Sequence, residues 1–196
     1  MNGGARVLNV VDVEATCWEH EPPPGQVSEI IEIGLTTIDL ASGERTGRHR
    51  LLVRPARSTV SGFCTELTGL TQDEVDTGIG FAGACRILAA GHQAGMRPWA
   101  SWDDYDRLQF QRQCRATGTQ YPFGRVHVNA KTVFTEAHGL RKKPGMAAAL
   151  KIAGLPLEGN HHSGADDAWN IAALILRLTA SSHWPDAIRR DRSGSG

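Results

Sequence analysis

Two acids, Asp12 and Glu14, interrupt the strongly β-forming stretch "NVVDVEATCWE", and their spacing limits what they can do. In an extended strand alternate side chains share a face, so Leu8, Val10, Asp12 and Glu14 point one way while Val7, Val11 and Val13 point the other. A buried, unpartnered carboxylate is costly, so such a pair must lie at an exposed strand end or meet a cation. Near the other end, "HHSGADDAWNIAALILRLTA" reads as a helix beginning near Ala165. From Asp167, steps of four and three reach the apolar Ile171, Leu174, Ile175 and Leu178, whereas Asp166 shares a wetter side with Asn170, Ala173 and Arg177. Asp167 is thus an acid on the core side of a helix N-terminus, whose dipole favours its ionised form.

His162 lies five residues earlier in a Gly-flanked loop. An ordinary histidine pKa of about 6.5 suits proton transfer at neutral pH, although nothing local separates His162 from His161. In "WASWDDYDRLQF" a strand gives way to a helix, so Asp103, Asp104 and Asp106 gather where α/β folds commonly build sites. Register with Phe110 and Cys114 favours Asp103 without settling the choice. Taken singly, Asp167 also reads as an N-terminal helix carboxylate, the Asp103 to Asp106 group as an N-cap aspartate and each histidine as a loop residue. Together they make a set of hard oxygen ligands with no thiolate and no HExxH, which suits Mg²⁺ or Mn²⁺ rather than zinc. Phosphoryl transfer to water is the chemistry such a set favours.

The elements that must position these groups follow from periodicity. Strands are expected near 6–14, 30–40 and 47–55, the last two joined by the turn "ASGE", which suggests an antiparallel meander. Beyond them come short helical pieces near 63–76, a helix near 80–95, the strand "PWASW", a helix from Asp103 to about Arg115 and the strand "RVHVN". Helices near 131–138, 145–153 and 165–181 complete the chain. A β-rich first half followed by alternation means an α/β sandwich on a mixed sheet, in one domain over 1–183. The stretch 184–196, ending "RRDRSGSG", is expected to be a disordered tail.

Composition removes some classes of function. Of 196 residues, 21 are basic and 21 acidic, which argues against a bulk electrostatic binder of long nucleic acid but not against a small metal-assisted anion site. The four cysteines, Cys17, Cys64, Cys85 and Cys114, follow no metal or disulfide spacing and read as reduced thiols. Neither a cleavable leader nor a run approaching the roughly 20 apolar residues of a membrane span is visible, so a cytoplasmic location without membrane association is expected.

The order "DVEATC", "SWDD", "HHSGADD" resembles the DEDDh 3′→5′ exonucleases of the ribonuclease H-like fold, whose motifs are an Asp-x-Glu, a middle Asp and a His-x4-Asp. Within that superfamily the chain is most similar to the Eri-1-like branch, which includes the 3′ histone mRNA exonuclease, and to its bacterial sporulation-inhibitor-like relatives. The likeness runs from about Val7 to Leu178 through "EIIEIG", "LLVRP", "SGFCTELTGLTQDEVD" and "ASWD". It implies a mixed five-stranded sheet flanked by helices. It also implies catalytic Asp12, Glu14, Asp103, His162 and Asp167, the four acids holding two Mg²⁺ ions, with Mn²⁺ a possible substitute. His-x4-Asp selects His162, because the same step from His161 lands on Asp166. Eukaryotic members carry a further N-terminal nucleic-acid-binding module for which there is no room before Val7, so recognition of structured histone RNA is not expected.

By the same resemblance the activity expected is release of nucleoside 5′-monophosphates from the 3′ end of single-stranded nucleic acid, RNA before DNA. Ala15, Thr16 and His162 would meet the terminal nucleotide, with Trp102 as a stacking face and Phe63 and Leu70 as weaker contacts. "RKK", Arg141 to Lys143, is a possible phosphate contact. Alternative readings are a DNA-proofreading exonuclease and a regulatory interaction protein that keeps the fold without using the site. Protein partners and oligomeric state are not legible in the sequence.

Overall fold

The β-forming runs at 7–15 and 30–39 lie at the centre of a sheet because they carry enough apolar residues to be buried on both faces, and more exposed strands pair outside them. The computed structural model describes residues 7–185, and their strands form one sheet of order β4-β3-β2-β1-β5-β6. β1 (Val7–Ala15), β2 (Ile30–Asp39) and β3 (Glu44–Arg54) form the expected antiparallel meander, in register Asp12↔Gly34 and Glu14↔Glu32. β5 (Trp99–Ser101) joins β1 in parallel, β6 (His127–Asn129) joins β5, and the two-residue β4 (Ile79–Gly80) adds a sixth strand beside β3. That strand corrects the expected count of five; two exposed residues leave no periodicity to read.

Seven helices cover the described sheet: α1 (Gly62–Thr68), α2 (Gln72–Asp76), α3 (Phe81–Gly91), α4 (Tyr105–Thr117), α5 (Ala130–Ala137), α6 (Met146–Ala153) and α7 (Gly164–Ala180). Leu8 and Val10 pack on one face with Ile171, Leu174, Ile175 and Leu178 of α7, while Val11 and Val13 pack on the other with α3 and Phe110 of α4. The α7 stripe expected from Asp167 onward is therefore the core-facing one. Asn170, placed on its wetter side, is instead fully buried, because its amide bonds the backbone of Glu158 and Asp166. Trp184 is also buried against α7, so the folded chain reaches past residue 183; the rest of the expected tail, 186–196, lies outside the described residues.

Candidate active site

The face of β1 that buries Leu8 and Val10 continues to Asp12 and Glu14 as the strand reaches its C-terminal end. Helix α7 begins above that end, and two glycines allow it to come so close. A Cβ on Gly34 would overlap the Gly164 carbonyl, and one on Gly164 would crowd the Asp12 carbonyl oxygen at 3.2 Å. Glu32, on the strand paired with β1, fixes the approach by accepting the Ala165 N–H at 3.2 Å while Arg50 Nε holds its other oxygen at 2.9 Å. Asp167, 4% exposed, is thereby delivered to the β1 acids: one carboxylate oxygen from each of Asp12, Glu14 and Asp167 lies within 4.8 Å of the others.

A fourth acid joins this group, and it is Asp106 rather than the expected Asp103. Helix α4 starts at Tyr105, two residues later than expected, so Asp103 and Asp104 precede it and Asp106 occupies the first turn. Asp106 is 4% exposed and accepts the Val13 N–H at 2.9 Å, which ties it to the strand between Asp12 and Glu14. Below it on the same helix face, Gln109 donates to Ser28 O and Gln113 accepts from Ile30 N, so α4 docks on the sheet end through polar side chains. Asp103 faces elsewhere: its Oδ2 receives Lys131 Nζ at 2.8 Å and its Oδ1 the Asp104 N–H.

Electrostatics divides the acids in the same way. Burial, then the charges of Asp106, Asp167, Glu14 and Glu32, raises the Asp12 carboxyl well above its ordinary range. Glu14 is pushed up to about 9 by burial and the charges of Asp167, Glu32 and Asp106, and Asp106 to about 7, chiefly by burial. Asp167 is raised too, burial again leading. Burial also acts on Asp103, but hydrogen bonds from Lys131 and the Asp104 N–H hold it below the ordinary value. Asp103 already has its cation. Among the described residues no side-chain donor bonds Asp12 or Glu14, so those carboxylates want a positive charge that the protein does not supply. Binding a cation there must expel protons and strengthen with pH.

Both histidines of "HHSG" reach this centre. His161 Nδ1 sits 3.0 Å from Asp167 Oδ2, the His162 N–H donates to the same oxygen at 3.0 Å, and the two rings stack with centroids 4.0 Å apart. His162 adopts φ 64, a conformation uncommon for residues other than glycine, which turns the loop so that backbone and ring both border Asp167. Burial and the neighbouring His161 lower the His162 pKa, favouring a neutral ring able to accept a proton. The sequence argument excluded His161 by spacing; the fold nevertheless sets it against the same carboxylate.

A carboxylate cluster at a strand end with an adjoining histidine is shared by more than one kind of hydrolase, and comparison with known proteins decides between them. Residues 10–175 match the family model described as Exonuclease. This chain belongs to the exonuclease family. It is 28% identical to the 3′-5′ exonuclease Snipper of Drosophila melanogaster, over 86% of this chain and 67% of that protein. Against human 3′-5′ exoribonuclease 1 it is 29% identical over 86% of this chain, and it spans about half, 51%, of that relative. The fold matches the nuclease domain of 3′hExo, a DEDDh family member bound to rAMP, with TM-score 0.80 and 25% identity, covering 92% of this chain and 95% of that domain. The exonuclease is thus of the 3′→5′ DEDDh type, on the ribonuclease H-like fold its motifs implied.

Exonucleases of this type depend on divalent metal, and the donor set fits: clustered carboxylate oxygens, no thiolate, and carboxyl groups raised by burial and by mutual repulsion that an ion would relieve. The substrate side of the exonuclease departs further from expectation. Thr16 is fully buried, its Oγ1 spent on Glu29 N and Val27 O, and Ala15 is buried beside it. Leu70, 2% exposed, packs with Ile31, Cys64 and Val75. Trp102, 7% exposed, packs on Phe134 and donates its Nε1–H to Pro144 O, so it is a core residue rather than an open stacking face. Phe63 is 40% exposed and remains available. Tyr105, missed in the sequence, is 51% exposed beside Asp106 and near enough to Glu14 to feel its charge. The available signal was its place immediately before Asp106, as Trp102 stands immediately before Asp103.

Proposed function

We propose that this chain shortens single-stranded RNA, in preference to DNA, from its 3′ end and releases nucleoside 5′-monophosphates, using two Mg²⁺ ions for which Mn²⁺ can substitute. The observation that carries the reading is the group of Asp12, Glu14 and Asp167 within 4.8 Å at the β1 end, in a chain of the exonuclease family. Asp12, Glu14, Asp106 and Asp167 would hold the ions, which when bound supply an activated water and charge stabilisation for the departing 3′ oxygen. His162 takes the proton from the attacking water. His161 braces Asp167. Tyr105 and Phe63 offer their exposed faces to the terminal bases, in place of Trp102 and Leu70.

The preference for RNA rests on the relatives, among them a human protein named as an exoribonuclease. Residues from Val7 to Trp184 would act as one exonuclease domain. A cytoplasmic setting accords with four cysteines that are all free thiols, and no described helix is long and apolar enough to cross a membrane. A time course on 5′-labelled single-stranded RNA and DNA of one sequence, with Mg²⁺ or Mn²⁺, tests the proposal. The expected result is a ladder shortening from the 3′ end, faster on RNA. Faster cleavage of DNA would favour the proofreading reading, and cleavage of neither would favour a regulatory scaffold.

A further inference from the structure

A strand whose 3′ end sits among four carboxylates must bring its other phosphates past the same negative field, so the surface beside the cluster needs cations not already paired. Several basic groups near the sheet are committed to acids: Arg45 to Glu158, Arg48 to Asp166, Arg50 to Glu32 and Glu74, Arg107 to Asp104. The segment beyond Asp103 differs. Lys131 Nζ lies 2.8 Å from Asp103 Oδ2, and Asp103 lies close enough to Asp106 for its charge to act there. The next residue, Thr132, accepts Lys143 Nζ at 2.8 Å, and Lys143 ends the exposed run Arg141, Lys142, Lys143. Side-chain contacts thus connect Asp103, through Lys131 and its neighbour Thr132, to Lys143. Among the described residues Arg141, Lys142 and Lys143 have no acidic partner. The nearest acid along α5, Glu136, lies a helical turn beyond Thr132.

This row is anchored to the site. The Trp102 indole donates to Pro144 O at 3.2 Å and the Lys131 N–H donates to Trp102 O at 2.9 Å, so both the loop and the start of α5 are bonded to the end of β5, the strand beside β1. The buried Trp102 thus supports a surface rather than forming one.

Resting on the exonuclease reading, we propose that Arg141, Lys142 and Lys143 bind successive backbone phosphates of the single strand leading away from the 3′-terminal nucleotide, while Lys131 stays paired with Asp103. Contacts of this kind are independent of sequence and of sugar, and they are salt-dependent. The variant Arg141→Ala/Lys142→Ala/Lys143→Ala removes three exposed side chains. The test measures fluorescence anisotropy of 5′-labelled RNAs of about 12 and about 3 nucleotides across a salt series, in EDTA so that no strand is cut. The variant is expected to bind the longer strand at least ~10-fold more weakly at low salt, with the slope of log affinity on log salt smaller by about 2, from roughly 0.7 per phosphate contact. The shorter strand is expected to lose much less. Unchanged binding of the longer strand, or an equal loss on both lengths, would overturn the proposal. Charge reversal by Lys142→Glu alone should reproduce the trend, which guards against a folding defect. The binding readout is independent of hydrolysis. A chain that cuts nothing yet shows the length-dependent loss would refute the exonuclease reading and leave the row standing.

Discussion

Asp106→Asn is expected to lower the rate of 3′-end hydrolysis by roughly 10³-fold or more, while Asp103→Asn leaves it within about 10-fold of the parent. The two acids are three residues apart, yet the fold gives them opposite surroundings. Asp106 is buried, bonded to the Val13 N–H between Asp12 and Glu14, and raised to about 7 by burial. An asparagine there keeps the volume and an oxygen for Val13, so the strand end stays in place while a negative charge is lost from the group that would hold the ions. Asp103 is held low by Lys131 and belongs to a surface ion pair with 45% of its side chain exposed. Its loss frees Lys131 and removes a charge that acts on Asp106, while all four carboxylates of the cluster stay in place. Steady-state rates of both variants on one labelled RNA, with circular dichroism to confirm folding, decide the matter. Equal, severe losses, or the reverse order, would return the middle position to Asp103.

The second large effect concerns the histidines. His162→Ala should slow turnover by roughly 10²–10⁴-fold at saturating substrate, the range for a positioned general base. His161→Ala should cost less than about 10-fold, because His161 contributes a bond to Asp167 that the His162 N–H also makes. The His162 pKa lies below its ordinary value through burial and the adjoining His161, so the ring is neutral and able to accept a proton at pH 7. The acidic limb of the rate–pH profile should therefore fall below the usual histidine range and disappear in His162→Ala. A His162 variant with parental turnover would remove it from the mechanism, and a larger loss in His161→Ala would exchange the two roles.

What could be read in advance followed the physics of each element. Alternation in β1 put Asp12 and Glu14 on the face of Leu8 and Val10, the one that packs against α7, because successive strand side chains point to opposite faces. The phase of α7 separated Asp167 from Asp166 because its stripe is aliphatic without interruption. Helix α4 defeated the same reasoning. Its buried face, Asp106, Gln109 and Gln113 beside Phe110 and Cys114, is largely polar and bonds to β1, the Ser28 carbonyl and β2. A face of that composition looks solvated in sequence, and Asp103 shares its register.

Trp102 and Leu70 went astray for a related reason: apolar character does not say whether a side chain fills the core or faces a ligand. Nor could Glu29, just before β2, and Glu32 within it be interpreted. Glu29 is buried to accept the Ala56, Arg57 and Ser58 N–H groups, and Glu32 to bridge Arg50 and α7, roles defined wholly by distant chain.

The central claim is that Asp12, Glu14, Asp106 and Asp167 together hold the divalent metal on which hydrolysis depends. Anomalous scattering from crystals grown with Mn²⁺ tests it most directly. The account predicts strong peaks enclosed by those four carboxylates and absent from Asp12→Ala crystals, with the Asp103–Lys131 pair intact. Peaks at Asp103, or none at the β1 end in crystals of active protein, would contradict it.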